Sequence, residues 1–282
     1  MHLTLSPART TRKAPAAAAA AAHARSASEP CHPALARLDG TVRALRAWSC
    51  CCGGAVGSSS SSPAYGLALL EAVLAALGDL LATPRTAAAL HDADDRVLDG
   101  FLALADAYGT FGAALLAARQ GVADARAGAR RGDGAAVAAS ARAHRRTEKE
   151  LRRLAAAMRH ASRSGRAAVA PTPSSADAAG AEVVGVVTEA TVAAAEASAA
   201  IFSRCAAMSP DVPAMAHSHR WLARLGVAPA ASSKVAPETA PAALERLEEL
   251  EECIAGLESG SEKVFRRLLQ ARVLLLNIHN PL

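Results

Sequence analysis

Aromatic residues are scarce in this chain. Its 282 residues include two Trp, two Tyr and four Phe, 3% of the total. Sheets draw heavily on aromatic and β-branched side chains, so an all-β fold is disfavoured. Paired cysteine spacing is missing as well. Cys50, Cys51 and Cys52 are adjacent, while Cys31, Cys205 and Cys253 stand alone. No disulfide framework fits that pattern, which points to a reducing compartment. Adjacent cysteines chelate poorly without a second ligand pair, so the triplet reads as free thiols in a Gly/Ser loop before it reads as a metal or palmitoylation site. Long hydrophobic runs are also lacking. Gly100 to Ala118, the longest weakly charged stretch, contains Asp106 and is about half Ala and Gly. It lies at the lower limit for a bilayer span and reads as a buried helix, with no integral membrane segment expected.

The chemistry of known sites is thin too. There is no glycine-rich phosphate loop, nucleophile elbow or credible Cys/His pair. His217 and His219 sit in a Pro-rich stretch with only Asp211 near, and the acids Asp92, Asp94 and Asp95 are explained by capping the next helix. His144 reads as a boundary residue. The expectation is no catalytic residue, no metal, no cofactor and no enzyme activity.

What the chain does contain is helix-forming material. Hydrophobic residues make up 51%, and about a quarter of the whole chain is Ala, which favours helix but buries little area. From Leu244 onward only Ala255 and Ala271 remain, and Leu dominates. Residues 1–33 are basic and Ala-rich with no acid before Glu29, which suits a disordered tail or an organelle transit peptide. The cytoplasm is the expected location, with chloroplast or mitochondrion as the alternatives that the tail leaves open.

Residues 34–282 read as a single helical bundle with linkers near 50–64, 162–176 and 209–241, the last with room for a short helix around Trp221 to Leu225. Helices are expected over Ala34 to Trp48, Gly66 to Ala82, a short piece from Arg85 to Leu90, and Asp95 to about Gly121. In the last of these, Gly109 and Gly112 offer close helix approach. A Gly-rich hinge, Gly128 to Gly134, precedes a charged helix over Ala135 to Ala161. The helix from Ala178 to Met208 spaces Glu182, Glu189 and Glu196 by sevens along one solvent face.

The final segment carries the clearest pattern. Leu247, Leu250, Ile254, Leu257, Ser261, Val264, Leu268, Ala271, Leu275 and Ile278 keep an unbroken three-four spacing. A helix from Pro241 to Asn280 would run about 60 Å at 1.5 Å per residue. This seam is the candidate core or interaction surface, and Leu269, Leu274 and Leu276 widen it towards burial in a bundle.

Charge is unevenly placed. The net is +5, yet Arg119 to Arg166 holds thirteen Lys or Arg against four acids. Arg142, Arg145, Arg146, Lys149, Arg152, Arg153 and Arg159 form a face able to bind anions, either a membrane surface or nucleic acid. No aromatic residue lies there to stack bases, so nucleic acid is disfavoured. Glu238 to Glu262 holds eight Glu against one Arg, and the expected balance is a basic face partly solvated and partly paired with these acids.

The C-terminal residues Phe265-Arg266-Arg267-Leu268-Leu269, Arg272-Val273 and Leu275-Leu276-Asn277-Ile278-His279-Asn280 resemble the closing signature of the plant-specific BYPASS-related DUF241 proteins. Leu247 to Ile254 is similar to that family's acidic helix, and Leu80-Leu81-Ala82-Thr83-Pro84 with Leu90 to its early helix and breaker. Leu98-Asp99-Gly100 with Leu102, Leu104, Asp106 and Gly109-Thr110 looks like its central helix, and Ser26 to Pro33 like its Ser/Pro/His opening. The first 25 residues, the heavy Ala content and the use of Arg for Lys depart from it. The resemblance implies an all-helical protein linked to root and shoot development, with no known enzyme activity or cofactor. The combined expectation is an all-α bundle of five or six antiparallel helices, closed by a long coiled-coil-like C-terminal helix. It would act on a protein partner or by self-association through helical faces.

Overall fold

The computed structural model describes residues 33–50, 62–91, 96–168, 178–208 and 239–280. The N-terminal tail, Cys51 and Cys52, the acids Asp92 to Asp95, the histidines His217 and His219 and the short helix expected near Trp221 lie outside them. Among the described residues there are seven helices and no strand: α1 Pro33–Cys50, α2 Pro63–Leu81, α3 Pro84–His91, α4 Arg96–Arg131, α5 Gly134–Ala168, α6 Ala178–Ala207 and α7 Thr239–His279. The all-helical class follows the sequence expectation.

Local chemistry sets the ends. The Tyr65 amide donates to the Ser62 hydroxyl at the start of α2, and Pro63 occupies the first helical turn, where a missing N–H costs nothing. At the break before α3, the Thr83 hydroxyl donates to the Leu80 carbonyl and accepts from the Thr86 amide. Pro84 then blocks continuation of α2 and opens α3.

Two boundaries differ from the sequence reading. The central helix does not end near Gly121, and Gly128 to Gly134 is not a hinge: α4 runs to Arg131. Val122, Ala125 and Ala129 are buried and hold this last stretch in the bundle. The turn itself needs only two residues. Gly132 takes φ 68°, the Asp133 amide donates to the Gly128 carbonyl at 2.8 Å, and the Gly132 amide donates to the Ala129 carbonyl at 3.2 Å. That is a Schellman ending, and the Asp133 carboxylate at once caps α5 by accepting from the Ala136 amide. At the other end, α5 continues to Ala168, well into the expected 162–176 linker. Ser162 is buried there and Arg166 pairs with Glu196 of α6.

Contacts fix the packing. Arg119 opposes Glu258, Arg126 opposes Glu251 and Arg130 opposes Glu248, so α4 and α7 run antiparallel. Arg159 meets Ser203 and Arg166 meets Glu196, so α5 and α6 are antiparallel too. Gly100 faces Thr191, Tyr108 faces Ser198 and Phe111 packs on Phe202, which sets α4 and α6 parallel. These four helices enclose the core, and α2 lies against α7 and α6. The few aromatics are concentrated here: Phe111 and Phe202 are 4.6 Å apart, with Tyr108 edge-on to Phe111 at 5.9 Å.

The close helix approach expected at Gly109 and Gly112 lies elsewhere. A Cβ built at Gly109 would only touch Phe265 Cε2 of α7 at 4.0 Å and nothing comes within 4 Å of one at Gly112, whereas one at Gly100 would meet Thr191 Cγ2 at 2.8 Å and one at Gly165 would meet Val192 Cγ2 at 2.7 Å. Nor is the row of glutamates on α6 simply solvated. Glu189 pairs with Arg46 of α1 and Glu196 with Arg166 of α5. By length and composition α2, α4 and residues 180–207 of α6 are each able to cross a membrane, and half or more of each apolar window is buried in the fold.

Candidate interaction surfaces

Interior polar chemistry is sparse. The Ser198 hydroxyl donates to the Ala194 carbonyl at 2.7 Å and lies 3.3 Å from the Tyr108 hydroxyl. Burial pushes the Tyr108 phenol well above its usual range and the Cys205 thiol up to about 12. Burial also raises the Cys253 thiol. Both thiols are therefore protonated and poor nucleophiles at neutral pH. Among the described residues no group of three or more His, Cys, Asp or Glu is placed to hold a metal ion.

Two cavities lie between helices. A groove of about 540 Å³ opens between the start of α4, the end of α5 and α6, lined largely by small residues such as Gly100, Ala103, Gly165 and Ala195. That volume would suit a small ligand. However, the hydroxyls of Thr188 and Thr191 at its wall donate back to the Val184 and Val187 carbonyls. They are spent on their own helix. The second void, about 30 Å³, lies between Leu115, His144, Leu151, Cys205 and Ile254. His144 is half-buried at its edge.

The C-terminal seam is placed inside the bundle. Leu247, Ile254, Leu257, Val264, Leu268 and Leu275 are buried, and Leu250 and Ile278 are half-buried against the core. The neighbouring row is different. Leu269, Val273 and Leu276 remain 39%, 56% and 38% exposed, so the widening of the seam does not end in full burial there. On α4, Leu102 is 37% exposed. Extending the register set by Arg130 and Glu248 along the antiparallel pair puts Leu102 beside Leu276 and Gly109 beside Leu269. The outer edge of the α4–α7 junction is thus an apolar strip. Asp99 and Asp106 are exposed on its α4 side; on its α7 side Lys263 and Arg266 are exposed, Arg266 paired with Glu262 of its own helix at 3.2 Å.

The basic stretch divides in two. Three of its four α4 members are taken by the acidic start of α7, while Arg131 is exposed at the helix end: Arg119 bonds Glu258 at 3.1 Å, Arg126 bonds Glu251 at 2.8 Å and Arg130 bonds Glu248 at 3.1 Å. On α5, Arg152 and Arg153 reach only the local acids Glu148 and Glu150, and Arg159 donates to the Ser203 hydroxyl. Arg145 is half-buried, whereas Arg142, Arg146 and Lys149 are exposed. The sequence could not tell which basic helix would meet the acids, since both carry arginine at helical spacing.

The surfaces described here, and the seam behind them, fall largely within one stretch of sequence that comparison recognises. The profile of the family described as Protein BPS1, the DUF241 family, matches residues 66–278. The chain belongs to the BPS1 family. The match takes in α2 to α7 almost entirely, including the terminal signature, the strip and the basic helix. No curated protein and no solved structure matches the chain. BPS1 family membership is consistent with a role in plant development.

Proposed function

We propose that this BPS1 family member is a non-enzymatic helical interaction protein of plant root and shoot development, working by self-association through the α4–α7 strip. The observation that carries this reading is the strip itself. Leu102, Leu269, Val273 and Leu276 stay exposed beside a seam that is otherwise buried, and grouped apolar exposure marks interaction sites. Its borders favour a second copy as the occupant. A two-fold axis parallel to the helices would lay the α4 border of one copy over the α7 border of the other, with Asp106 about 9 Å along the axis from Arg266, so that unlike charges share each edge of the interface. The perpendicular axis would oppose like charges.

On this reading α2, α4 and α6 are core helices and the protein works in the cytoplasm. Locating the chain in plant cells with and without residues 1–25 tests the organelle alternative. The double variant Leu269→Asp with Val273→Asp tests the strip, because both positions are exposed enough to accept charge without unfolding. Sedimentation velocity should show a concentration-dependent dimer for the native chain and a monomer for the variant, with similar thermal midpoints. An unchanged association state in the variant, or a monomeric native chain, refutes self-association through this strip.

A further inference from the structure

The basic residues of α5 fall into two rows. Arg145, Arg152, Arg159 and Arg166 recur every seven residues, and the last two reach across to Ser203 and Glu196 of α6. Arg142, Arg146, Lys149, Arg153, His160 and Arg163 follow a three-four spacing along the other flank, interrupted once by Ala156, and all six are exposed. In this outer row Arg153 meets only Glu150, on its own helix. Arg142, Arg146, Lys149 and Arg163 have no ion pair or hydrogen bond among the described residues. The cause lies across the bundle. Glu248, Glu251 and Glu258, the acids best placed to neutralise a basic helix, are taken by α4. The helix packs chiefly on α4 and α6, so this flank faces outward.

We propose that the outer row of α5 docks the protein on an anionic lipid surface. Residues 142 to 163 span about 30 Å at the helical rise, in one row along the exposed flank. A flat sheet of headgroups can meet every member of such a line at once. The long aliphatic stems of Arg and Lys allow the charges to reach the headgroup layer while the helix stays in the bundle. Nucleic acid fits less well. The whole of α5 lacks an aromatic side chain to stack on bases and has no Asn or Gln to read them. The site shares no residue with the α4–α7 strip, so membrane docking and self-association are separable properties of the chain.

The full chain is mixed with phosphatidylcholine vesicles with or without phosphatidylserine, across a salt series. The row variant Arg142→Gln/Arg146→Gln/Lys149→Gln is compared with a charge-matched variant elsewhere, Arg37→Gln/Arg43→Gln/Arg85→Gln. Each cation near an anionic surface contributes about fivefold in partitioning, from about 1 kcal/mol per basic residue, so the row variant should bind about 100-fold more weakly. The charge-matched variant should stay close to the native chain, and native binding should fade as salt rises. Equal losses in the two variants, native binding independent of phosphatidylserine, or no native binding would each overturn the proposal. So would a duplex oligonucleotide that binds the native chain more tightly than the vesicles and depends on the same three residues.

Discussion

Gly66 lies where the end of α1 meets the start of α2, and its missing side chain leaves room for the outer edge of the Trp48 ring against α2. A Cβ there would come within 2.3 Å of Trp48 Cη2. The ring cannot easily retreat, because it is buried and the Arg204 guanidinium covers its face at 4.0 Å. Gly66→Ala should therefore destabilise by about 1–3 kcal/mol of overpacking, which outweighs the helix propensity gained. Gly121 sits inside α4 with nothing within 4 Å of the same built atom. Gly121→Ala should stabilise by about 0.5–1 kcal/mol through propensity alone. Thermal melts of the two variants should shift in opposite directions; a shift of the same sign in both would contradict the packing assigned to Trp48. In the sequence these glycines look alike. Both interrupt a helical pattern, and only the neighbour across the interface separates them, which is why the sequence points to close approach at Gly109 and Gly112 and the structure has it at Gly100.

At the scale of elements, α7 shows what periodicity does and does not reveal. A three-four row of large aliphatic residues predicts both a helix and its buried face, and the seam from Leu247 to Leu275 is where that pattern places it. The row beside it is equally apolar in sequence, yet half-exposed, because burial there depends on whether another helix is available to cover it. The Ala-rich helices mark their own ends poorly. An alanine stripe produces little contrast between faces, so the sequence pattern of α4 and α5 fades about ten and seven residues before the helices end. Side by side on α7, Leu268 is 1% exposed and Leu276 is 38% exposed. Leu268→Asp, like Leu257→Asp, would bury an unpaired carboxylate and should cost about 4 kcal/mol or more, enough to unfold a marginal bundle. Leu276→Asp should cost about 1 kcal/mol or less. Urea titration followed by far-ultraviolet circular dichroism checks this, and equal midpoints for the two would remove α7 from the core.

At the scale of the molecule, arginine carries the ion pairs that tie described helices together: Arg37 with Asp79, Arg46 with Glu189, Arg166 with Glu196, and the α4–α7 ladder. Arginine keeps its proton in alkali, so these links persist as pH rises. Sensitivity to base then comes from groups that burial keeps protonated: Cys205 and Tyr108 in the core, and Cys253 beside Cys205. Cys205 holds its proton in the folded state up to about 12, against an ordinary thiol value of 9.0. Below 9.0 folded and unfolded chains both keep the proton, and the group adds no pH dependence. Between 9.0 and about 12 the unfolded chain releases it and the folded chain does not, so each increment of pH favours unfolding. Tyr108 adds the same trend above 10.0, because its burial likewise disfavours the charged form. The urea midpoint should fall steadily from pH 9 upward, and Cys205→Ala should reduce the slope while leaving the fall above pH 10 that Tyr108 causes. A midpoint that holds constant to pH 11, or an unchanged slope in Cys205→Ala, would mean that the thiol between α6 and α7 is open to solvent, and with it the part of the core that the α7 seam closes.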